Sequence, residues 1–268
     1  MTRQANLYGR VIIECDIETK TGLHIGGAES SLSIGGVDNV IIRDQLSGRP
    51  YVPGSSLKGK MRSQMEKFHG LSQNQRIGRD VYIHTCKSTE EYAGCIVCHV
   101  YGVPGEADFS TSTRLVVRDV QLSEESVVKL NAAKTDLPFS EVKWEAAIDR
   151  VTSAAAPRQM ERVLAGAVFG PAEMVYSIYE AADLKRFANV IEGMQLLEDD
   201  YLGGSGSRGS GKVAFRNIRI YARARGNYDK KRPFRQESFE SLDELAGQMD
   251  VLLVWLEKDG VPVSGKEG

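Results

Sequence analysis

Four residues between positions 84 and 98 have the types and the spacing of a metal site. His84 and Cys86 are separated by one residue, Cys95 and Cys98 by two, and eight residues lie between the two pairs. One imidazole and three thiolates form a ligand set that suits tetrahedral zinc. Because four protein ligands leave no open coordination position, the pattern predicts a structural Zn²⁺ and not a catalytic one.

Other interpretations of this cluster are weaker. His99 adjoins Cys98 and is the alternative fourth ligand. An extracellular disulfide framework is disfavoured because three of the chain's four cysteines lie within thirteen residues. A redox Cys-x-x-Cys pair would belong to a thioredoxin-like strand–helix junction, and the surrounding residues lack that pattern.

A glycine loop is the second stretch with chemical potential, YLGGSGSRGSGKVAF at 201–215. It matches both the dinucleotide pattern G-x-G-x-x-G and the P-loop pattern G-x-x-x-x-G-K. Both motifs need a strand before the loop and a helix after it, whereas here a helical pattern precedes the loop and a strand pattern follows. Val213 also replaces the Ser or Thr that holds magnesium in a P-loop. Nucleotide hydrolysis is therefore disfavoured.

The same loop is suited to a phosphodiester backbone. Gly204 and Gly206 carry no side-chain bulk, so backbone amides there can approach a phosphate, and Arg208 and Lys212 supply positive charge. A plain surface turn is the alternative.

Charge is unevenly distributed, although the net charge is only −2. Between residues 201 and 235 one acid, Asp229, faces ten basic residues: Arg208, Lys212, Arg216, Arg219, Arg223, Arg225, Lys230, Lys231, Arg232 and Arg235. Seven acids and one lysine follow between residues 237 and 259. A basic face followed by an acidic tail is typical of a protein that binds nucleic acid, and a solvated strand edge is the alternative.

The elements that must position these residues follow from periodicity. Alternation in 11–17 predicts a strand with Val11, Ile13, Cys15 and Ile17 inward. Apolar residues at helical spacing predict a helix that begins at Ser55 or Ser56 and ends before Gly70, with an inward face of Leu57, Met61, Met65 and Phe68. Its N-terminus is an expected anion site, together with Lys58, Lys60 and Arg62.

Further along the chain the pattern returns to strands and helices. Residues 139–169 predict a protruding hairpin with its tip at 154–157, and 114–122 and 174–180 predict strands. A second helix has Leu184, Phe187, Ile191, Met194 and Leu197 on one face, and a strand with Val213, Phe215, Ile218 and Ile220 inward follows the glycine loop. A tail helix has an apolar stripe of Phe239, Leu242, Leu245, Met249, Leu252, Leu253 and Leu256. The order predicts an α+β fold with a ferredoxin-like core and large insertions.

Composition sets the broad class. The chain has 268 residues, 41% hydrophobic and 26% charged, which is typical of a soluble globular protein. No run of about 18 apolar residues appears. We therefore expect a cytoplasmic protein with no membrane partner.

Five ordered motifs carry a resemblance to a known family: GLHIGG at 22–27, IGGVDN at 34–39, PGSSLKGKMR at 53–62, AAIDRVTSAAAPRQMERV at 146–163, and the glycine loop. Together they resemble the RAMP superfamily of CRISPR proteins. Within it, the chain resembles the repeated backbone subunit of the type III-A (Csm) effector complex. The matching pieces extend from about residue 10 to residue 228.

The resemblance implies an RRM-like core with an inserted zinc-binding lid and a protruding thumb arm. It implies copies of the subunit stacked along a CRISPR RNA, paired with complementary target RNA and joined by other Csm effector subunits. The thumb distorts the guide–target duplex in that family, and here Pro157, Arg158 and Met160 are the candidates to wedge between bases. His24 lies at a position that close relatives use for contact with RNA. Contacts to the guide backbone are expected from the start of the first helix, with Ser55, Ser56, Lys58, Lys60 and Arg62.

Catalysis is also implied by the resemblance, because family members cut the target once per subunit with an aspartate in the loop that corresponds to IGGVDN. Asp38 is that residue here, as a general base or as a ligand that positions Mg²⁺ or another divalent cation. Asn39–Val40 follows it, where the family often has a proline. Ordinary turn chemistry at Asp38 is the alternative, as are a non-catalytic backbone subunit and a guide-processing endoribonuclease of the same superfamily.

These predictions divide the chain into six segments. They are 1–72, the first part of the core with the catalytic loop; 73–112, the zinc-binding insertion; 113–138, a core strand and helix; 139–172, the thumb arm; 173–228, the second part of the core with the glycine loop; and 229–268, the tail helix.

Overall fold

A computed structural model of the chain describes residues 5–27, 39–105, 108–135 and 137–263. The strands are β1 (Gly9–Thr19), β2 (Tyr51–Val52), β3 (Gln75–Arg76), β4 (Tyr82–Ile83), β5 (Leu115–Val117), β6 (Val120–Gln121), β7 (Ser140–Ile148), β8 (Ala155–Val163), β9 (Val168–Ile178), β10 (Val213–Ala224) and β11 (Arg232–Pro233). The α-helices are α1 (Gly54–Phe68), α2 (Thr89–Gly94), α3 (Ile96–Tyr101), α4 (Glu124–Ala132), α5 (Ala182–Arg186), α6 (Ala188–Asp199), α7 (Leu242–Ala246) and α8 (Met249–Trp255).

The centre of the fold is a five-stranded antiparallel sheet in the order β11-β10-β1-β9-β5. Val11 of β1 lies opposite Tyr176 of β9 and Ala222 of β10. All three side chains are buried, as the alternation in β1 predicts. The predicted inward residues of β1 and β10 are all buried, which confirms both strands.

Helix α1 covers one face of the core and corrects two details of the prediction. Leu57, Met61 and Met65 are buried as predicted, but Phe68 at the last turn is exposed. The N-cap is Pro53 and not Ser55 or Ser56. The proline provides the extended backbone, and the Asp119 carboxylate accepts a hydrogen bond from the Gly54 amide at 2.7 Å. A carboxylate distant in sequence therefore replaces the side-chain cap that the serines would supply.

The arm is the antiparallel hairpin of β7 and β8, with nine paired positions from Ser140–Val163 to Ile148–Ala155. Its turn spans 149–154, so the predicted tip at 154–157 is displaced, and 155–157 belong to β8. The Asp149 carboxylate accepts hydrogen bonds from the amides of Val151 and Thr152, which closes the turn before that point.

Three further segments differ in extent from the prediction. Residues 114–122 break into β5 and β6, which belong to different sheets, and β9 begins at Val168 instead of 174. The tail forms α7 and α8 with Leu242, Leu245, Leu252 and Leu256 buried, so its apolar stripe packs on the chain's own core. No helix of the described residues has the length and apolar character needed to cross a membrane.

Candidate functional site

The four predicted metal ligands lie together in the structure. One ligand atom from each of His84, Cys86, Cys95 and Cys98 lies within 4.8 Å of all the others. Cys95 is the N-cap of α3 and Cys98 lies in its first turn, while His84 and Cys86 follow strand β4. A short helix and a short hairpin thus bring the two pairs to one point.

The separations within the cluster fit tetrahedral zinc. A zinc ion with bonds of about 2.3 Å to sulfur places two sulfurs about 3.8 Å apart. Here the sulfurs of Cys86 and Cys98 are 3.5 Å apart, and His84 Nε2 lies 3.7 Å from Cys86 Sγ and 3.4 Å from Cys95 Sγ. The donor set and its spacing therefore fit a metal ion that bonds to all four residues.

The groups around the cluster support the same ligand atoms. His84 Nδ1 lies 3.1 Å from the Ser72 carbonyl, which fixes that nitrogen as the donor and leaves Nε2 for a metal. The amide of Cys98 donates to Cys95 Sγ at 3.4 Å. Hydrogen bonds from the Cys98 thiol and amide lower the pKa of Cys95 against the desolvation of the buried thiol, which favours the thiolate form that a metal ion binds.

His99 is not part of the cluster. Its ring stacks at 4.1 Å, centroid to centroid, on Tyr92, and neither ring nitrogen has a hydrogen-bond partner among the described residues. Burial, followed by the positive charges of Arg186 and Arg114, lowers the pKa of His99 to about 4. The alternative ligand is therefore a neutral, packed side chain, and geometry selects His84.

The glycine loop is held against the GLHIGG segment, which precedes it by about 180 residues in sequence. Gly203 and Gly211 have positive φ values of 77° and 85°. A Cβ at Gly203 would lie 2.1 Å from the His24 carbonyl oxygen, and one at Gly211 would lie 2.2 Å from that of Leu202. These two glycines are required by the close approach of backbone to backbone.

Much of the loop's backbone is already hydrogen-bonded. Six amides between residues 204 and 212 donate within the chain: Gly204 to His24 O, Arg208 to Ser205 O, Gly209 to Gly206 O, Ser210 to Ser205 O, Gly211 to Gly22 O, and Lys212 to the Thr21 hydroxyl. The Gly204 amide is thus already bonded and not available to a phosphate in this conformation. The side chains of Arg208 and Lys212 are exposed along the loop.

His24 connects this loop to the base of the arm. Its carbonyl accepts the Gly204 amide at 2.8 Å, and its Nδ1 lies 2.6 Å from the carbonyl oxygen of Glu161 in β8. On the arm, Lys143 Nζ donates to the Arg208 carbonyl at 3.2 Å. Three motifs from distant parts of the sequence therefore meet at one place.

The basic residues of α1 have different surroundings. Lys60 forms an ion pair with Asp200 at 2.7 Å, and its ammonium lies 3.6 Å from the centroid of the Tyr201 ring. Arg62 pairs with Glu66 and donates to the carbonyls of Gly102 and His84.

These contacts give Lys60 and Arg62 structural partners in the free chain. Burial, with a smaller contribution from Arg62, lowers the pKa of Lys58. Ser55 is exposed and Ser56 is half-buried at the start of the helix. Gly206, in the glycine loop, lies against the Tyr201 ring that Lys60 covers.

The arm presents some of its predicted residues and hides one. Pro157 is exposed, and Arg158 is half-buried and paired with Glu145 at 2.7 Å. Met160 is only 5% exposed, so the structure does not present this side chain to a base. A residue packed at the base of a hairpin cannot wedge into a duplex without rearrangement of the arm.

Sequence reasoning missed the exposed apolar face of the arm. Trp144 is 64% exposed, and Ile148 and Val151 are also exposed. Cross-strand pairing places Pro157 opposite Ala146, between the positions of Trp144 and Ile148 and on the same face. The period-two pattern of 142–148 was the available signal, since it puts four apolar residues, Val142, Trp144, Ala146 and Ile148, on one side of a strand.

Asp38 lies outside the described residues, so its catalytic role stays a prediction. The chain is described again from Asn39, and the two flanks of this gap pair with each other. Gly27 N–H donates to Val40 O at 3.1 Å, and Ile42 N–H donates to Ile25 O at 2.8 Å.

Comparisons with known proteins agree on one family. The model of the RAMP superfamily matches residues 16–214. The chain is 41% identical over 250 residues to the CRISPR system Cms endoribonuclease Csm3 of Methanocaldococcus jannaschii, and the match covers 91% of this chain and 94% of that protein.

Two solved structures are similar to this one. The crystal structure of the Csm3-Csm4 subcomplex in the type III-A CRISPR-Cas interference complex matches with a TM-score of 0.59 and 32% identity, over 92% of this chain and 97% of that one. The Methanopyrus kandleri Csm3 crystal structure matches with a TM-score of 0.61 over 93% of this chain and 98% of that one. At 21% identity the second likeness concerns the fold alone.

Proposed function

The chain belongs to the RAMP superfamily and, within it, to the family of Csm3 endoribonucleases, and from this membership we propose that it cleaves target RNA as the repeated backbone subunit of a type III-A CRISPR effector complex. It binds CRISPR RNA, copies of itself and other Csm subunits. Complementary target RNA is its substrate, and the cytoplasm is its location.

The observation that carries this proposal is the convergence at His24. The GLHIGG segment, the glycine loop and the base of the arm meet there through the Gly204–His24 and His24–Glu161 contacts. The exposed cations Arg208 and Lys212 border the same surface. Such a surface suits the backbone of a ribonucleotide chain, because cations that neutralise phosphates release counterions and so favour binding.

The arm supplies the second part of the proposed function. Its exposed face, with Trp144 and Pro157, offers aromatic and apolar surface on which a base can stack. Unstacking a duplex step costs a few kcal/mol, which repeated contacts along a filament offset.

Asp38 is the proposed catalytic residue. Its carboxylate accepts the proton of the attacking hydroxyl, whose oxygen bonds to phosphorus as the P–O bond to the leaving oxygen breaks. The leaving oxygen takes a proton from water. When bound, a divalent cation such as Mg²⁺ supplies positive charge to the phosphate oxygens. We propose no other metal function for the IGGVDN segment.

We assign structural Zn²⁺ to the His84 cluster and retain an RRM-like core and the six segments. The sheet supports this core. When β1, β5, β9 and β10 are counted one to four along the chain, they lie side by side in the order four, one, three, two, that is β10, β1, β9, β5. That order, with α1 and α6 between strands, is that of a ferredoxin-like βαββαβ unit.

The test is Asp38→Ala in the reconstituted effector complex, with target binding and target cleavage scored separately. We expect the cleavage rate to fall by about 10²- to 10⁴-fold, the usual contribution of a general base, with target affinity retained. Asp44→Ala is the matched control, because the Asp44 carboxylate is bound within its own turn by Ser47.

Cleavage at the unmodified rate by Asp38→Ala would contradict the catalytic assignment and favour a different residue or a non-catalytic subunit. Cutting of unprocessed repeat RNA by the isolated protein, without target, would instead favour a guide-processing endoribonuclease.

A further inference from the structure

A buried carboxylate lies at the base of the arm. Glu161 in β8 is 2% exposed, and it contacts both flanks of the gap between residues 27 and 39. Those flanks are the chain segments that enter and leave the proposed catalytic stretch.

Main-chain contacts of Glu161 reach both sides. Its amide donates to the Asn39 carbonyl at 3.0 Å, and its carbonyl oxygen lies 2.6 Å from His24 Nδ1. One residue of the arm is therefore hydrogen-bonded to the GLHIGG segment before the gap and to the residue directly after Asp38.

The side chain of Glu161 makes three further contacts. Its Oε2 accepts the Ile41 amide at 3.0 Å, and its Oε1 accepts Arg43 Nη2 at 2.6 Å and the Ser140 hydroxyl at 2.5 Å. Arg43 continues the network to the carbonyls of Gly48 and Pro138.

A buried carboxylate is costly unless it is fully paired, and an apolar side chain of similar volume could often replace it without loss of stability. Here every carboxylate contact is made to residues 41 and 43 or to the arm itself. The two carboxylate oxygens divide these contacts, with Oε2 on the Ile41 amide and Oε1 on the Arg43 guanidinium, and the negative charge strengthens the second. The arrangement fixes the register of residues 39–43 against β8.

We propose that Glu161 is a positioning residue for RNA cleavage: it locks residues 39–43, the chain that directly follows the proposed catalytic residue Asp38, to the base of the arm. The inference rests on the proposed function. It couples the element that distorts the duplex to the segment that cuts it. Misplacement of a reacting group by about 1 Å is enough to slow a reaction about 10²-fold.

The test is Glu161→Gln in the reconstituted complex, measured by single-turnover cleavage at saturating target and by target affinity. Glutamine keeps one acceptor for the Ile41 amide and removes the charge that holds Arg43. We expect the single-turnover rate to fall about 10- to 100-fold while target affinity stays within about threefold. A merely structural role would lower both together with the unfolding temperature.

Glu141→Gln is the matched control. Glu141 is on the same hairpin and pairs with Arg162 at 2.6 Å, so this ion pair joins two residues of the arm itself. We expect this variant to cleave at the unmodified rate.

Arg43→Gln provides the second variant, because it breaks the same contact from the other partner and leaves the Ile41–Glu161 bond intact. The double variant should be no slower than the slower single variant, since both remove one interaction. If Glu161→Gln fails to fold, Arg43→Gln decides the question alone. Unchanged cleavage by every folded variant overturns the proposal.

Asp38→Ala in the same assay separates the two claims. If Asp38→Ala cleaves normally, the catalytic assignment fails. If Asp38→Ala is inactive and the Glu161 and Arg43 variants are not slowed, only the positioning role fails.

Discussion

At the scale of single residues, the metal cluster is the part of the molecule that spacing alone describes best. Two close pairs of ligands separated by eight residues can meet with little help from the rest of the chain, because each pair is fixed by local backbone. The structure adds the choice between two histidines, which depends on the contacts of Ser72 and Tyr92.

This choice leads to a prediction about metal content. His84→Ala should lose bound zinc, because it removes one of four ligands, whereas His99→Ala should keep about one zinc per chain. Metal analysis of the purified proteins measures the ratio directly. A zinc-depleted His99→Ala with an intact His84→Ala would reverse the ligand assignment.

Glu161 illustrates what residue patterns do not reveal. In sequence it is one polar residue among several in a hairpin of mixed composition, AAPRQMERV. Its importance comes from partners 118 and 120 residues away, Arg43 and Ile41. Such pairings depend on which turn of the chain reaches the base of the arm, and periodicity carries no information about that.

At the scale of elements, the arm has two chemically different faces. Trp144, Ala146 and Ile148 alternate with the charged or small residues Lys143, Glu145 and Ala147. On the charged face Glu145 pairs with both Lys143 and Arg158, which lowers the pKa of its carboxyl, with the Arg158 hydrogen bond as the largest cause. On the other face Trp144 and Ile148 are exposed.

We therefore expect Trp144→Ala to weaken binding of the guide–target duplex by about 1–3 kcal/mol, the usual contribution of one stacked base. Because the ring is mostly exposed, the free energy of unfolding should change by less than about 0.5 kcal/mol. Titration of the complex with labelled target measures the first quantity and thermal denaturation the second. Tyr82→Ala, an exposed aromatic in the metal-binding insertion, is the control, and equal losses in both variants would contradict the assignment.

Periodic apolar residues predict which stretches form helices and strands, but they predict less well where each of these elements begins. Apolar residues recur on one side of β1, β10 and α1 because that side of each element is buried in the core. The start of α1 was misplaced because its capping carboxylate, Asp119, is 65 residues away. The turn of the arm was misplaced because the small residues of 154–157 suggested a tip, whereas Asp149 forms the turn.

At the scale of the whole molecule, one buried ion network joins the metal-binding insertion to the core. Arg114 is 1% exposed and donates to Asp183 at 3.0 Å, to the Ser112 carbonyl at 2.9 Å and to the Tyr92 hydroxyl at 3.3 Å. Tyr92 belongs to α2 of the insertion and Asp183 to α5 beside the sheet. The Arg114 guanidinium therefore connects Tyr92 of α2, Ser112 and Asp183 of α5.

Removal of this guanidinium leaves the buried Asp183 carboxylate with Arg186, at 2.8 Å, as its remaining ion-pair partner. We expect Arg114→Met to lower the free energy of unfolding by about 1–3 kcal/mol, because Asp183 loses one of its two charged donors while Arg186 remains. Arg118→Met is the matched control, because Arg118 pairs with Glu173 at the surface and such pairs contribute about 0–1 kcal/mol. Chemical denaturation of both variants with zinc bound measures the difference, and equal stabilities would refute the role of the network.

The glycine loop is already hydrogen-bonded in one shape in the free chain. Six of its amides already donate hydrogen bonds to GLHIGG, to Thr21 or to carbonyls within the loop before any RNA arrives. Folding therefore already orders this loop, so its binding to RNA costs little additional conformational entropy. In the proposed filament, each new copy meets the guide RNA with a rigid edge, so successive subunits engage it in the same geometry.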